Sequence, residues 1–301
     1  MPSPDFEVRR ATEADVPAVL AALSDGYSRP FTPDWFQWKH RESPWGQSRC
    51  WVAADEGGLL GVVFGLPWRL TDEAGPVACS RLVDGATTVR AQRRGVFRSV
   101  VRAELAAAAA DAIPGLVIAT ATPEARDAHV KNGATALEPV RSHYRPVRWA
   151  PAKLRTDEAV LHSWFAPRGP GLSTAWDAAA LAWRLDPRAG VQYEVSQLAR
   201  AQAAHGVVHR TVGGALRTLV VTASWGSAAE VHRVIRALAW ESRAVAVLAP
   251  AGPGARQPAQ RLSLTRGESL LCVWDHRTAD ASAAASRAAW HLDGLDLEGV
   301  M

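Results

Sequence analysis

The stretch Gln92-Arg93-Arg94-Gly95-Val96-Phe97 lies between a predicted strand and a long predicted helix. Ahead of it, residues 77–83 form an apolar β run. After it, apolar side chains recur from Phe97 to Ala108 at the three- and four-residue spacing of one helix face. The sequence therefore predicts a strand–turn–helix unit with Gly95 at the turn.

A turn of this kind is suited to binding an anion. The N–H groups at a helix N-terminus point outward, and the helix dipole favours negative charge there. Gly95 lets the backbone approach a phosphate without a Cβ in the way, and Arg93, Arg94 and Arg98 add positive charge. The turn is predicted to bind phosphate. The alternative for the same residues is an arginine-rich, solvated helix start.

The elements around the turn predict an α/β fold with a mixed sheet. Helix signals begin at Thr12 and Thr122, Gly26 is expected to end the first helix, and Pro67 is expected to end the third strand. A hairpin followed by a β-α-β unit predicts both antiparallel and parallel neighbours. Strands are predicted at residues 6–10, 50–54, 59–66, 77–83 and 116–119.

The second half of the chain echoes the first. Residues 216–249 predict the β-α-β order of residues 82–119. We expect two related domains, 1–150 and 151–301, with the basic run Arg141 to Arg148 as a solvated connector. Between its strand and its helix the second half has Ser224-Trp225-Gly226-Ser227, so we expect it to lack the phosphate-binding turn.

Composition sets limits on the class of protein. The chain has 301 residues, a net charge of +4, 48% hydrophobic residues and 21% charged residues. This balance is typical of a globular protein, and the dispersed positive charge does not indicate a nucleic-acid surface. No apolar run approaches the roughly 18 residues of a membrane helix, and no secretory signal begins the chain. We expect a cytoplasmic protein without a membrane or nucleic-acid partner.

Cysteine and histidine spacing does not indicate a metal site. The three cysteines are widely separated and odd in number, which argues against a disulfide framework or a zinc site. His205 and His209 are expected on a strand without a third ligand.

The residues around the turn resemble the GCN5-related N-acetyltransferase (GNAT) family, which carries Arg/Gln-x-x-Gly-x-Gly/Ala between its fourth strand and third helix. Gln92, Gly95 and Phe97 occupy these three positions, and Phe97 departs from the pattern. Asp84-Gly85-Ala86-Thr87 is similar to the Asp-x-Ala-Thr of one subgroup. The resemblance covers about residues 5–150. A weaker one, to tandem GNAT proteins with a degenerate second copy, covers the rest. It implies a mixed central sheet flanked by helices, in two tandem copies.

The resemblance also implies how an acyl-CoA donor would bind. Thr87 and its neighbours would bind the pantetheine arm through their backbone. The acyl thioester would lie where the fourth and fifth strands splay apart. The pyrophosphate would be held by the turn, at Arg93, Arg94, Gly95, Val96, Phe97 and Arg98.

Two residues are candidates for proton transfer. His129 stands four residues before Gly133, where many family members carry a tyrosine, and an imidazole can act as acid or base. A histidine that only packs in a helix is the alternative. Asp84 is the acid nearest to the expected acyl site, but its facing depends on whether the strand carries a bulge. Glu42, Glu56 or a water chain are the alternatives for the base.

The activity implied by the resemblance is N-acetylation of a small-molecule amine, such as an amino sugar, an antibiotic or a metabolite. Acetyl-CoA would be the cosubstrate, with no metal, and the segment from Trp35 to Trp45 would line the acceptor cleft. Two alternatives stay open. One is a non-catalytic CoA- or ligand-binding protein, and the other is an aminoacyl-type transferase that uses aminoacyl-tRNA. The sequence leaves open whether the chain forms a homodimer.

Overall fold

The structure is a computed structural model that describes residues 5–111, 115–155, 171–199, 205–213, 216–250, 264–277 and 290–291. The chain divides into two compact units. Among the described residues, the first unit takes 5–138 and 270–277, and the second takes 139–269 and 290–291. The sequence predicted a single boundary at residue 150. In the structure the second unit begins at residue 139, and residues 270–277 belong again to the first unit.

The elements follow one another in the order that periodicity predicts for the first half. The helices are α1 (Val16–Tyr27), α2 (Pro33–Phe36), α3 (Val96–Ala109), α4 (Pro123–Lys131), α5 (Ala178–Arg184) and α6 (Ala228–Ser242). The strands are β1 (Glu7–Arg10), β2 (Arg49–Asp55), β3 (Gly58–Asp72), β4 (Gly75–Thr87), β5 (Leu116–Ala121), β6 (Thr135–Ala136), β7 (Val140–Pro146), β8 (Leu154–Arg155), β9 (Leu172–Thr174), β10 (Glu194–Leu198), β11 (Gly206–Val212), β12 (Thr218–Trp225), β13 (Ala246–Pro250), β14 (Leu264–Asp275) and β15 (Trp290–His291).

The first unit is built on a mixed sheet with the strand order β1-β2-β3-β4-β5-β14. Strands β1 to β4 are antiparallel neighbours, and β4 and β5 are parallel. Residues 270–275 of β14 add an antiparallel strand beside β5. The predicted mixed sheet is confirmed, but its last strand comes from the far end of the chain.

Helix α3 covers one face of this sheet. Its residues Val96, Val100, Val101 and Ala108 are buried in the same cluster as Leu82 of β4. Complete burial of a valine side chain stabilises a fold by roughly 1.5–3 kcal/mol relative to exposure. This packing fixes the start of α3 beside the end of β4, which is where the phosphate-binding turn is predicted.

Two local expectations in the first unit are wrong. Gly26 does not end α1, which runs to Tyr27 and has Ser28 in the left-handed conformation at its C-cap. A Cβ on Gly26 would lie 3.1 Å from the Cβ of Ala86, so the glycine lets the helix end pack closely on β4. Pro67 does not end β3, which continues to Asp72 and pairs Pro67 with Ser80. The pairing of β3 with β2 stops at Gly65, so the missing N–H of Pro67 breaks no bond to β2.

The second unit has a sheet with the order β14-β7-β13-β12-β11-β10-β8. Strands β12 and β13 are parallel and are joined through α6, so the predicted β-α-β order is confirmed. Leu219 and Val221 of β12 pack with Val234 and Leu238 of α6. The predicted solvated connector is wrong, because β7 is a strand that pairs with β13. Strands β9 and β15 form a short parallel pair.

Candidate active site

The predicted turn has the geometry of an uncapped helix N-terminus. Gly95 is the N-cap of α3, with φ +81° and ψ 5°, and no side chain caps the helix. The N–H of Ser99 bonds to the carbonyl of Gly95 at 3.0 Å, so the N–H groups of Val96, Phe97 and Arg98 have no partner within the helix. A Cβ at position 95 would meet nothing within 4 Å. The turn is therefore open in front of three N–H donors.

The arginines of the turn divide into two kinds. Arg94 is paired with acids, since its Nη2 lies 2.8 Å from Asp5 Oδ2 and its Nη1 lies 3.7 Å from Asp55 Oδ2. The side chains of Arg93 and Arg98 are exposed. Their charge is thus turned toward solvent around the open N–H groups, as an anion site requires.

The junction between β12 and α6 in the second unit is capped by its own side chains. Ser227 is the N-cap of α6, and its hydroxyl oxygen accepts a hydrogen bond from the N–H of Glu230. The Glu230 carboxylate lies 3.0 Å from the same hydroxyl. The negative charge of Glu230 in the first turn already offsets the positive end of the helix dipole, so this junction is not suited to a phosphate.

Strands β4 and β5 separate next to the turn. Their parallel pairing runs from Cys79 opposite Leu116 to Leu82 opposite Ala119 and then stops. Both strands continue beyond that point, β4 to Thr87 and β5 to Ala121. The separation of β4 and β5 that is predicted for the acyl thioester is therefore present, at the end of β4 that leads to the turn. Thr87 is the last residue of β4 and pairs with Gly61 of β3.

A bulge in β4 decides the facing of Asp84. The register with β3 passes from Val62–Ala86 to Phe64–Val83, so Val63 faces both Asp84 and Gly85, and Asp84 has φ +50°. Val63 packs in the core beneath α3, whereas the Phe64 ring stacks on His40 at 3.8 Å. Asp84 also contacts His40, so the bulge turns its carboxylate away from α3.

Asp84 is held in a buried charged cluster. Its Oδ2 lies 2.6 Å from Lys39 Nζ and 3.3 Å from His40 Nε2, and its side chain is 5% exposed. Burial by itself raises the pKa of Asp84, but Lys39 and His40 hold this pKa below the usual value. Burial lowers the pKa of His40 to about 4. At neutral pH the cluster is a carboxylate paired with Lys39 beside a neutral imidazole, and the role of Asp84 as general base stays a prediction.

Phe97, the departure from the family pattern, is accommodated by Gly85. A Cβ on Gly85 would lie 2.8 Å from the Phe97 ring, so the absence of a side chain there makes room for the phenyl group. On its other side Phe97 contacts the His129 ring, with centroids 5.4 Å apart. The substitution is therefore matched by a glycine on the facing strand.

His129 lies inside an aromatic cage. Its ring sits between Phe97 and Trp274, whose centroid is 5.3 Å away, and the residue is 4% exposed. Burial lowers the pKa of His129 to about 4, so it is a neutral imidazole at pH 7. A catalytic role for His129 stays a prediction.

The buried imidazole makes stability depend on pH. The pKa of His129 falls from 6.5 in the unfolded chain to about 4 in the folded one. As the pH falls, the unfolded state therefore takes up the proton before the folded state does. The stability that the neutral imidazole gives the folded state is complete above pH 6.5 and is lost as the pH falls from 6.5 to 4. This change is worth about 3 kcal/mol. We expect His129→Phe to reduce the pH dependence of the unfolding free energy in this window, as measured by urea denaturation from pH 8 to pH 4. It should not abolish it, because burial also lowers the pKa of His40 and of His209 to about 4. An unchanged slope would contradict the assignment.

Sequence reasoning missed the charged cluster and one phenol near the splay. Lys39 and His40 lie in a π-helical turn that follows α2. Tyr27, Phe31, Trp35 and His40 form a continuous run of ring contacts, with centroid separations of 5.5, 4.5 and 5.2 Å. The sequence signal for the cluster is the Lys-His-Arg run inside the aromatic segment, which the sequence predicts as a wall of the acceptor cleft.

In the part of the chain that the structure describes, no group of three or more His, Cys, Asp or Glu side chains is arranged to hold a metal ion. None of the described helices has the length and apolar character needed to cross a bilayer.

Comparisons with known proteins agree with this geometry. A family model described as an acetyltransferase (GNAT) domain matches residues 7–125. A GCN5-related N-acetyltransferase from Anabaena variabilis superposes with a TM-score of 0.69 at 10% identity, over 90% of this chain and 73% of that one. One from Kribbella flavida superposes with a TM-score of 0.69 at 14% identity, over 94% and 74%. A search of curated proteins gave no match. Residues 7–125 therefore match the model of the GNAT acetyltransferase family, and the chain has the GNAT fold.

Proposed function

We propose that this protein is an acyl-CoA-dependent N-acyltransferase that transfers an acetyl group from acetyl-CoA to the amine of a small molecule. The observation that carries the proposal is the open helix N-terminus at Gly95. It lies at the end of the strand that separates from β5 after Leu82. A phosphate site and a gap between strands on the same edge suit a donor with a diphosphate at one end and a thioester at the other.

The residues of the turn fit the diphosphate of coenzyme A. The N–H groups of Val96, Phe97 and Arg98 supply donors that need no side chain to move. Arg93 and Arg98 supply charge from exposed positions. The backbone of β4 near Thr87, beyond the last pairing with β5, would bind the pantetheine arm.

The reaction is attack of an amine nitrogen on the thioester carbonyl, in which the N–C bond forms and the C–S bond breaks. The ammonium proton has to leave before attack, and the departing thiolate has to gain a proton. Asp84 and His129 are the candidates for these proton transfers. Asp84→Asn and His129→Phe test them one at a time.

The acceptor would be a small amine with a flat or ring-shaped body, such as an amino sugar, an antibiotic or a metabolite. The aromatic run from Tyr27 to His40 supports this class, because ring faces pack well against sugar and aromatic rings. We further propose that the second unit is a degenerate GNAT-like copy. Its β12-α6-β13 unit has the parallel arrangement of β4-α3-β5 but an internally capped helix start.

The test has a binding arm and a turnover arm. Native mass spectrometry of the purified protein with CoA should detect a one-to-one complex. Thiol release from acetyl-CoA, followed with a panel of amino sugars, aminoglycosides and polyamines, should rise with at least one amine. Tight CoA binding without turnover for any amine would favour the non-catalytic alternative. Retention of aminoacyl-tRNA without CoA binding would favour the aminoacyl-type transferase.

A further inference from the structure

The phenol of Tyr27 reaches the wall of the strand splay. Tyr27 is the last residue of α1, and the residue is 46% exposed. Its hydroxyl donates a hydrogen bond to the carbonyl oxygen of Gly85, at 3.3 Å. Gly85 lies in the β4 bulge, beyond the last residue that pairs with β5. A hydroxyl group is therefore present on the strand edge where the thioester of an acyl-CoA would lie.

The close approach of α1 to β4 explains this position. Gly26 lies so close to Ala86 that a Cβ on Gly26 would be only 3.1 Å from the Cβ of Ala86. The helix end therefore sits almost on the strand, and the next side chain, Tyr27, extends along β4 to the carbonyl of Gly85. The Phe31 ring packs against the Tyr27 ring, with centroids 5.5 Å apart.

We propose that Tyr27 is a catalytic residue of the acyl transfer, with its phenol donating a hydrogen bond to the carbonyl oxygen of the acyl thioester. This inference rests on the proposed function. As the amine adds, negative charge develops on that oxygen, and a donor already in place stabilises it. The phenol transfers no proton in this step, since its O–H bond stays intact while the N–C bond forms. When the C–S bond breaks, the carbonyl is restored and the hydrogen bond weakens again.

The surroundings of Tyr27 suit a donor. Its present hydrogen bond is longer than the usual 2.7–2.8 Å or so of a hydroxyl bond, so a stronger acceptor readily replaces it. Partial burial and the nearby Asp84 carboxylate raise the pKa of Tyr27, while Arg29 opposes them. The phenol therefore keeps its proton throughout the neutral range.

The neighbouring candidate on α4 is less accessible. The Phe97 ring contacts Gly85 on one side and His129 on the other. It therefore stands between His129 and the strand edge that Tyr27 touches. Of the two residues, Tyr27 is 46% exposed and His129 is 4% exposed, so Tyr27 is the more accessible candidate.

Tyr27→Phe tests the proposal, because it removes the hydroxyl and keeps the ring that packs on Phe31. We expect kcat to fall about 100-fold, as for the loss of one oxyanion donor, with the Kd for CoA changed less than twofold. Tyr144→Phe removes a hydroxyl from β7 in the second unit and should leave both quantities unchanged. Thermal unfolding of both variants checks that the fold is kept.

A binding measurement makes the test independent of the amine. Acetonyl-CoA carries the ketone oxygen without a cleavable thioester. We expect the unaltered protein to prefer it over CoA, and Tyr27→Phe to lose that preference. Wild-type kcat, or an unchanged ketone preference, in Tyr27→Phe would overturn the role of Tyr27 while leaving the proposed function standing. Failure of the unaltered protein to bind CoA at all would overturn both.

Discussion

Replacing Gly95 with aspartate is expected to lower the affinity for CoA at least about 100-fold and to leave the fold intact. The new carboxylate would enter the open space in front of Val96, Phe97 and Arg98, where a Cβ meets nothing within 4 Å. Two like charges about 4 Å apart near a protein surface repel by about 4 kcal/mol, and every 1.4 kcal/mol or so is tenfold in affinity. Isothermal titration with CoA measures the loss.

The left-handed backbone of Gly95 calls for a control of its own. With φ +81°, any side chain there is strained by roughly 1–2 kcal/mol. Gly95→Asn has almost the same shape as aspartate, tolerates this backbone region and carries no charge. It should lose no more than about tenfold in affinity, so the difference between the two variants isolates the charge. Unchanged CoA affinity in Gly95→Asp would place the donor elsewhere.

Glu104→Gln is expected to lower the free energy of unfolding by about 3 kcal/mol, because it removes the charge from a buried ion pair. Glu104 is 0% exposed and accepts hydrogen bonds from Arg49 Nη2 at 2.6 Å, Ser80 Oγ at 2.7 Å and Trp51 Nε1 at 2.8 Å. These bonds tie α3 to β2 and β4. A Cβ on Gly65 would clash with Glu104 Oε1, so the absence of a side chain at this position makes room for the carboxylate.

Arg49 provides a matched control. Its Nη1 lies 2.8 Å from Asp111 Oδ2, but that side chain is 48% exposed. Asp111→Asn makes the same chemical change to a solvated partner of the same arginine, and an exposed pair contributes about 0–1 kcal/mol. Urea denaturation of both variants gives the comparison. Equal, small losses would show that Glu104 does not stabilise the core through its charge.

The candidate site could be predicted from the sequence where it depends on neighbours along the chain. Gly95, the arginines and the apolar face of α3 belong to one continuous segment, and the structure puts them in the predicted strand–turn–helix unit. The effect of Phe97 could not be predicted, because it depends on Gly85 in another element. Asp84 was named but could not be oriented, since one extra residue in β4 reverses the face of a side chain.

What the sequence by itself determined is the local order of the elements and the place of the turn, since helix periodicity, strand alternation and a turn glycine act within a few residues. The tertiary structure alone decided the bulge at Asp84, the approach of Tyr27 to Gly85 and the completion of the first sheet by residues 270–275. Each of these depends on residues that are distant in sequence and is selected by packing. Local propensity does not encode such contacts.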